Sequence, residues 1–169
     1  MLTAGYEASM EKGSPRGRDE GVAGTLKTIG RHLIAEFYSC SRHILDDVGA
    51  IRERMCEAAR AMGATVVGDT FHKFAPQGVS GSVVIAESHL SVHTWPETGY
   101  VSVDVYTCGG LDPRIGCEYL GGAFGASSCR VQEIVRGLPN DVEDAKELLP
   151  DDVQIITRTV ELTEVVPVG

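Results

Sequence analysis

Between Phe71 and Cys108 the chain concentrates side chains able to move protons or attack carbonyls: Ser80, Ser88, His89, Ser91, His93 and Cys108, interspersed with His72, Lys73, Ser82, Glu87, Trp95, Glu97 and Tyr106. Spacing sorts part of this set. If 88–95 is a strand, His89, Ser91, His93 and Trp95 project from one face, because strand side chains alternate with period two. An ordinary core seldom buries such a face, whereas a polar strand facing solvent accepts the same residues. Cys108 ends a further run and precedes Gly109-Gly110. A thiol there can face a cleft, although a free cysteine is more often just a small apolar residue. Cys56, Cys117 and Cys129 read as such packing residues. Metal binding is disfavoured, since on a strand His89 and His93 stand roughly 13 Å apart. The glycines at 78, 81, 109, 110, 121 and 122 match neither a P-loop nor a dinucleotide-binding fingerprint.

The elements that must position these residues are legible from local pattern. HLIAEFYSC, after Arg31, reads as a partly buried strand. Asp46 or Asp47 then caps a helix in which Val48, Ile51, Met55, Ala58 or Ala59 and Met62 recur at three-to-four spacing, with Gly63 as the stop. Four β-rich runs follow: ATVVGDTFHKF, SGSVVIAES, HLSVHTW and YVSVDVYTC. Their short connections require antiparallel pairing, because parallel neighbours need a crossover of about a dozen residues. The last run sets Val101, Val103 and Val105 against Ser102, Asp104 and Tyr106, giving one buried face and one polar face. Asp112-Pro113 opens a second helix with Ile115, Leu120 and Phe124 as its apolar points, and CRVQEIVRG reads as a last strand. The order β-α-β-β-β-β-α-β specifies an α+β two-layer sandwich, with helices on one face of a mainly antiparallel sheet. Residues 142–149 are expected to form a short helix and VQIITRTVEL an edge strand. Residues 1–27, without periodicity, are expected to be a disordered tail outside a single domain spanning 28–169.

The chain has 169 residues, enough for one core of useful size. Its 15 basic and 24 acidic residues give a net charge of -9, the wrong sign for attraction to phosphate backbones or anionic lipid. Five cysteines without a CxxC pair indicate neither a disulfide framework nor a structural zinc site. No apolar run resembles a secretory signal or approaches the roughly 18 residues of a membrane span. A cytoplasmic protein with reduced thiols and neither nucleic-acid nor membrane partners is the expectation.

The segment TFHKFAPQGVSGSVVIAESHLSVHTWPETGYVSVDVYTCG resembles the signature region of the prokaryotic S-adenosylmethionine decarboxylase proenzymes, and RHLIAEFYSC with its following helix resembles the family's opening. The likeness runs from about Gly30 to Gly110 and fades beyond. It implies that the protein cuts its own chain between Glu87 and Ser88, into a β chain 1–87 and an α chain 88–169. Ser88 Oγ attacks the preceding carbonyl, the amide becomes an ester, and β-elimination leaves a pyruvoyl group on the new N-terminus. A serine hydroxyl needs a nearby base and a stabilised oxyanion to act so. His93 matches the family's processing histidine and Ser80 the serine that assists it. His89 is closer in sequence but on the opposite strand face from Ser88.

The pyruvoyl carbonyl forms a Schiff base with the substrate's α-amine and serves as an electron sink, so neither pyridoxal phosphate nor a metal is called for. Cys108 matches the proton donor, a role that suits a thiol with an ordinary pKa near 8.5. Phe74 is expected to offer an aromatic face to adenine and Glu97 to accept hydrogen bonds from ribose; a core aromatic and a turn carboxylate are their alternative roles. The implied reaction converts S-adenosylmethionine to its decarboxylated form, the aminopropyl donor for spermidine, in a homodimer of cleaved protomers. Arginine or ornithine decarboxylation on the same scaffold is the competing activity, and a non-catalytic module that kept the fold is a third reading.

Overall fold

A computed structural model describes residues 29–137. The tail 1–27, the helix at 142–149 and the strand VQIITRTVEL lie outside the described residues, as does part of the expected domain 28–169. Nine elements follow one another: β1 (Gly30–Tyr38), α1 (Arg42–Leu45), α2 (Val48–Ala61), β2 (Thr65–Lys73), β3 (Val79–Ala86), β4 (Ser88–Trp95), β5 (Tyr100–Cys108), α3 (Pro113–Ala123) and β6 (Ser128–Arg136). The six strands form one sheet in the order β2-β3-β4-β5-β1-β6, antiparallel at every pairing.

Period-two alternation divides the sheet. Leu33, Ala35 and Phe37 of β1, Leu90 and Val92 of β4, and Val101, Val103 and Val105 of β5 are buried. Against them α2 lays Ile51, Met55, Ala58 and Ala59, and α3 lays Cys117 and Leu120. Each large side chain withdrawn from water contributes roughly 1.5–3 kcal/mol. Phe37 meets Phe124 edge-on, with centroids 6.2 Å apart. Two polar residues enter this layer and both are satisfied. Thr94 Oγ1 accepts from Val79 N at 2.8 Å and donates to Leu45 O at 2.7 Å, and Thr107 Oγ1 donates to Leu111 O.

Of the two aspartates offered as a cap, Asp47 takes the position, its Oδ1 accepting from Gly49 N and Ala50 N. Asp46 instead receives Gly78 N–H and Lys73. These bonds, the backbone one first, hold its carboxyl below the usual carboxylate range. Gly63 follows α2 with φ of 81°, the left-handed conformation that suits glycine after a helix. The one-turn α1 is too short to leave a periodic trace in the sequence. Ile115 departs from expectation: it is 46% exposed, because the inward stripe of α3 runs through Gly116, Cys117 and Leu120. A β-carbon on Gly116 would lie 2.6 Å from Met62 Sδ, so the two helices approach closely there. Cys129 also departs: it is exposed, because β6 lies at the edge of the sheet among the described residues.

Candidate active site

Among the described residues, the opposite face of the sheet carries no helix. His89, Ser91, His93 and Trp95 of β4 stand there as their spacing requires, flanked by alternate residues of β3, β5 and β1. Burial confirms the division within β4, where Leu90, Val92 and Thr94 are buried while His93 and Trp95 are exposed.

Two clusters of polar residues gather around the two ends of β4. The first surrounds the start of β4. Ile85 pairs with Ser88 and leaves only Ala86 and Glu87 in the turn, so the Glu87–Ser88 bond sits at a two-residue hairpin. Ser88 holds φ at 135°, a region that costs a residue with a side chain roughly 1–3 kcal/mol and is found mostly at functional sites. Its Oγ is shielded from solvent and has no hydrogen-bond partner among the described residues. Across β5, Ser88 faces Thr107, which places Cys108 one residue away. Cys108 is partly exposed, whereas burial pushes the Cys40 thiol up to about 11 and the Cys117 thiol up to about 12. His32, His89 and Tyr106 pack with centroids 5.3–6.5 Å apart. Asp104 ties three strands together: its Oδ2 accepts from Ser91 Oγ at 2.7 Å and its Oδ1 lies 3.2 Å from His32 Nε2.

The second cluster lies toward the far end of β4. Ser80 Oγ and His93 Nδ1 are 2.7 Å apart, joined across the β3–β4 pair. Phe74 is 49% exposed, which excludes the core role, and meets His72 edge-on at 4.7 Å. His72 in turn pairs with Ser80. Glu97 occupies the β4–β5 turn, where its Oε2 accepts from Gln77 Nε2 at 2.9 Å. It also borders an open groove of about 470 Å³ with Arg42, His43 and Lys73.

Ser80, His93, Phe74 and Glu97 therefore gather at one end, and Ser88 and Cys108 at the other. His93 lies five residue steps along the strand from Ser88, roughly 16 Å at 3.3 Å per residue. The sequence reading passed over His32 and Arg136 in the first cluster. The alternation on β1 carried a signal for His32, since it falls opposite in phase to Leu33, Ala35 and Phe37.

An α+β sandwich with its helices on one sheet face, a serine hairpin opening β4 and a cysteine closing the neighbouring β5, defines the class of protein. The model of the S-adenosylmethionine decarboxylase family matches residues 31–137. That match runs past Gly110, where the motif-based likeness faded. The chain is 50% identical over 118 residues to the S-adenosylmethionine decarboxylase proenzyme of Thermotoga maritima, covering 69% of this chain and 91% of that one. It is 47% identical over 124 residues to the proenzyme of Anoxybacillus flavithermus, covering 73% of this chain and all of the relative. The crystal structure of adenosylmethionine decarboxylase from Aquifex aeolicus superposes with a TM-score of 0.63 at 34% identity, covering 68% of this chain and 96% of that one. The chain belongs to the S-adenosylmethionine decarboxylase family and is an enzyme of that family.

Proposed function

We propose that this protein cleaves itself between Glu87 and Ser88 and, once cleaved, decarboxylates S-adenosylmethionine, supplying the aminopropyl donor for spermidine. The observation that carries the reading is Ser88: its hydroxyl is buried, lacks a partner, and belongs to a tight hairpin with unusual backbone geometry. A side chain buried without a hydrogen bond is costly unless it has work to do. Here that work is attack on the adjoining Glu87 carbonyl, which exchanges the amide for an ester before elimination. The residues fit the pyruvoyl group the family implies, because residue 88 begins β4 and pairs with Thr107. A new terminus at 88 stays anchored in the sheet. A pyruvoyl group supplies a carbonyl that condenses with an α-amine and accepts electron density as carbon dioxide departs.

The remaining roles belong to this chain's side chains. His93 shares a hydrogen bond with Ser80 through Nδ1; with the Nδ1–H donated to Ser80 Oγ, Nε2 carries the lone pair that accepts a proton during cleavage. Cys108 delivers a proton to the substrate's α-carbon. Phe74 stacks on adenine and Glu97 accepts ribose hydroxyls, both at the same end as the Ser80–His93 pair. A proton cannot cross the roughly 16 Å that separates this pair from Ser88 in one protomer. A second copy laid face to face about a two-fold axis brings the far end of one β4 over the start of the other, since such an interface is self-complementary. Each site then takes Ser88 and Cys108 from one protomer and Ser80, His93, Phe74 and Glu97 from its partner.

Denaturing intact-mass measurement tests the reading. Two fragments, each about half the mass, with a blocked keto terminus at residue 88, are expected, and carbon dioxide should be released from S-adenosylmethionine in preference to arginine or ornithine. A single uncut chain, inert toward the nucleoside, overturns it.

A further inference from the structure

Tyr106 and Cys108 are alternate residues on the open face of β5. Gly30 lies directly across from Cys108 on one side and from Arg136 on the other. A β-carbon on Gly30 would fall 2.6 Å from Tyr106 Cε2 and 3.0 Å from its hydroxyl oxygen. The phenol ring thus lies down over the glycine, and its hydroxyl reaches the gap between the thiol and the arginine. The Arg136 guanidinium carbon stacks 4.6 Å from the ring centroid, an arrangement that holds the ring in place. Rings of His32 and His89 close two further sides. Burial first, and then the neighbouring Cys108 thiol, keep the phenol above its ordinary pKa. At neutral pH it is a donor.

We propose that Tyr106, seated on Gly30 and capped by Arg136, is a positioning residue for Cys108: its hydroxyl orients the thiol and stabilises the thiolate that remains after proton delivery. The inference rests on the reading of Cys108 as proton donor. In that step the S–H bond breaks and a C–H bond forms at the substrate's α-carbon. The electron pair stays on sulfur, where the Tyr106 O–H meets it, and a solvent proton later restores the thiol. A hydrogen bond to a charged acceptor is about twice as strong as a neutral one, so the gain is specific to the thiolate.

Iodoacetamide alkylation of the cleaved enzyme at neutral pH, followed peptide by peptide, reads the effect without turnover, and exposed Cys129 serves as the internal reference. Tyr106→Phe should slow Cys108 alkylation several-fold and leave Cys129 unchanged. It should also lower kcat with KM and self-cleavage intact. Gly30→Ala, which displaces the ring without removing the hydroxyl, should slow Cys108 in the same direction. Unchanged Cys108 alkylation in a fully cleaved Tyr106→Phe enzyme overturns the proposal. Normal turnover by Cys108→Ala overturns the reading beneath it.

Discussion

Along β5, Val101, Val103 and Val105 are sealed beneath the helices while Tyr100, Ser102, Asp104, Tyr106 and Cys108 look the other way. The two faces share every backbone hydrogen bond of the sheet and differ only in what alternate side chains touch. The covered face gains stability from non-directional burial. On the polar face, side chains are held by individual partners: Ser91 by Asp104, Ser80 by His93, Tyr106 by His32 and Arg136. A hydrogen bond depends on direction and donor identity in a way that burial does not. The contrast teaches that substitutions on the bare face should cost chemistry before stability, and that the covered face should show the reverse order.

The largest departure is expected at residue 88. Ser88→Ala should abolish cleavage completely while leaving the fold intact, and His93→Ala alone should likewise remain uncut. When the two variants are refolded together, however, the His93→Ala chain should be cut, because its serine meets the partner's histidine in a mixed dimer. Gel electrophoresis of the mixture sharpens the comparison. Were that mixture to stay uncut, the arrangement across a two-fold would be lost even if the serine chemistry survived.

Next in size, Cys108→Ala should permit cleavage and reduce kcat by about 10²–10⁴-fold, the worth of a positioned proton donor. Urea unfolding should show little change for it. On the covered face, Phe37→Ala should destabilise the protein by about 3–5 kcal/mol, since the ring is 1% exposed and packs on Phe124. Cleavage before unfolding should persist in that variant, and its loss in still-folded protein would blur the division between faces.

The smallest effect is a pH dependence. The Asp46 carboxyl is held below its ordinary value by Gly78 N–H and then by Lys73. Its contribution to stability is present above the unfolded-state pKa, near 3.9, and is lost as pH falls through the lower folded-state value. Asp46→Asn should therefore flatten the acid limb of a thermal-melt-versus-pH curve and leave cleavage at neutral pH alone. Parallel acid limbs in the two proteins would dissociate this carboxylate from acid stability.

By itself the sequence determined whatever depends on neighbours a few residues apart. Alternation put His89, Ser91, His93 and Trp95 on one face, Asp46 or Asp47 and then Asp112 marked helix starts, and short connections required antiparallel pairing. These follow from fixed periods of 2 and 3.6 and from capping bonds that span two or three residues. The motif around Ser88 likewise carried the resemblance to the family that the match over residues 31–137 shows. What only the tertiary structure decided involves residues far apart along the chain. It inserted β1 between β5 and β6, which left Cys129 on an edge of the described sheet. It also laid Tyr106 across Gly30, 76 residues earlier in the chain, beside Arg136. Above all, it put the Ser80–His93 pair and Ser88 at opposite ends of one strand. Strand rise alone gives that separation, but which β3 residue meets His93 depends on a register set by long-range pairing.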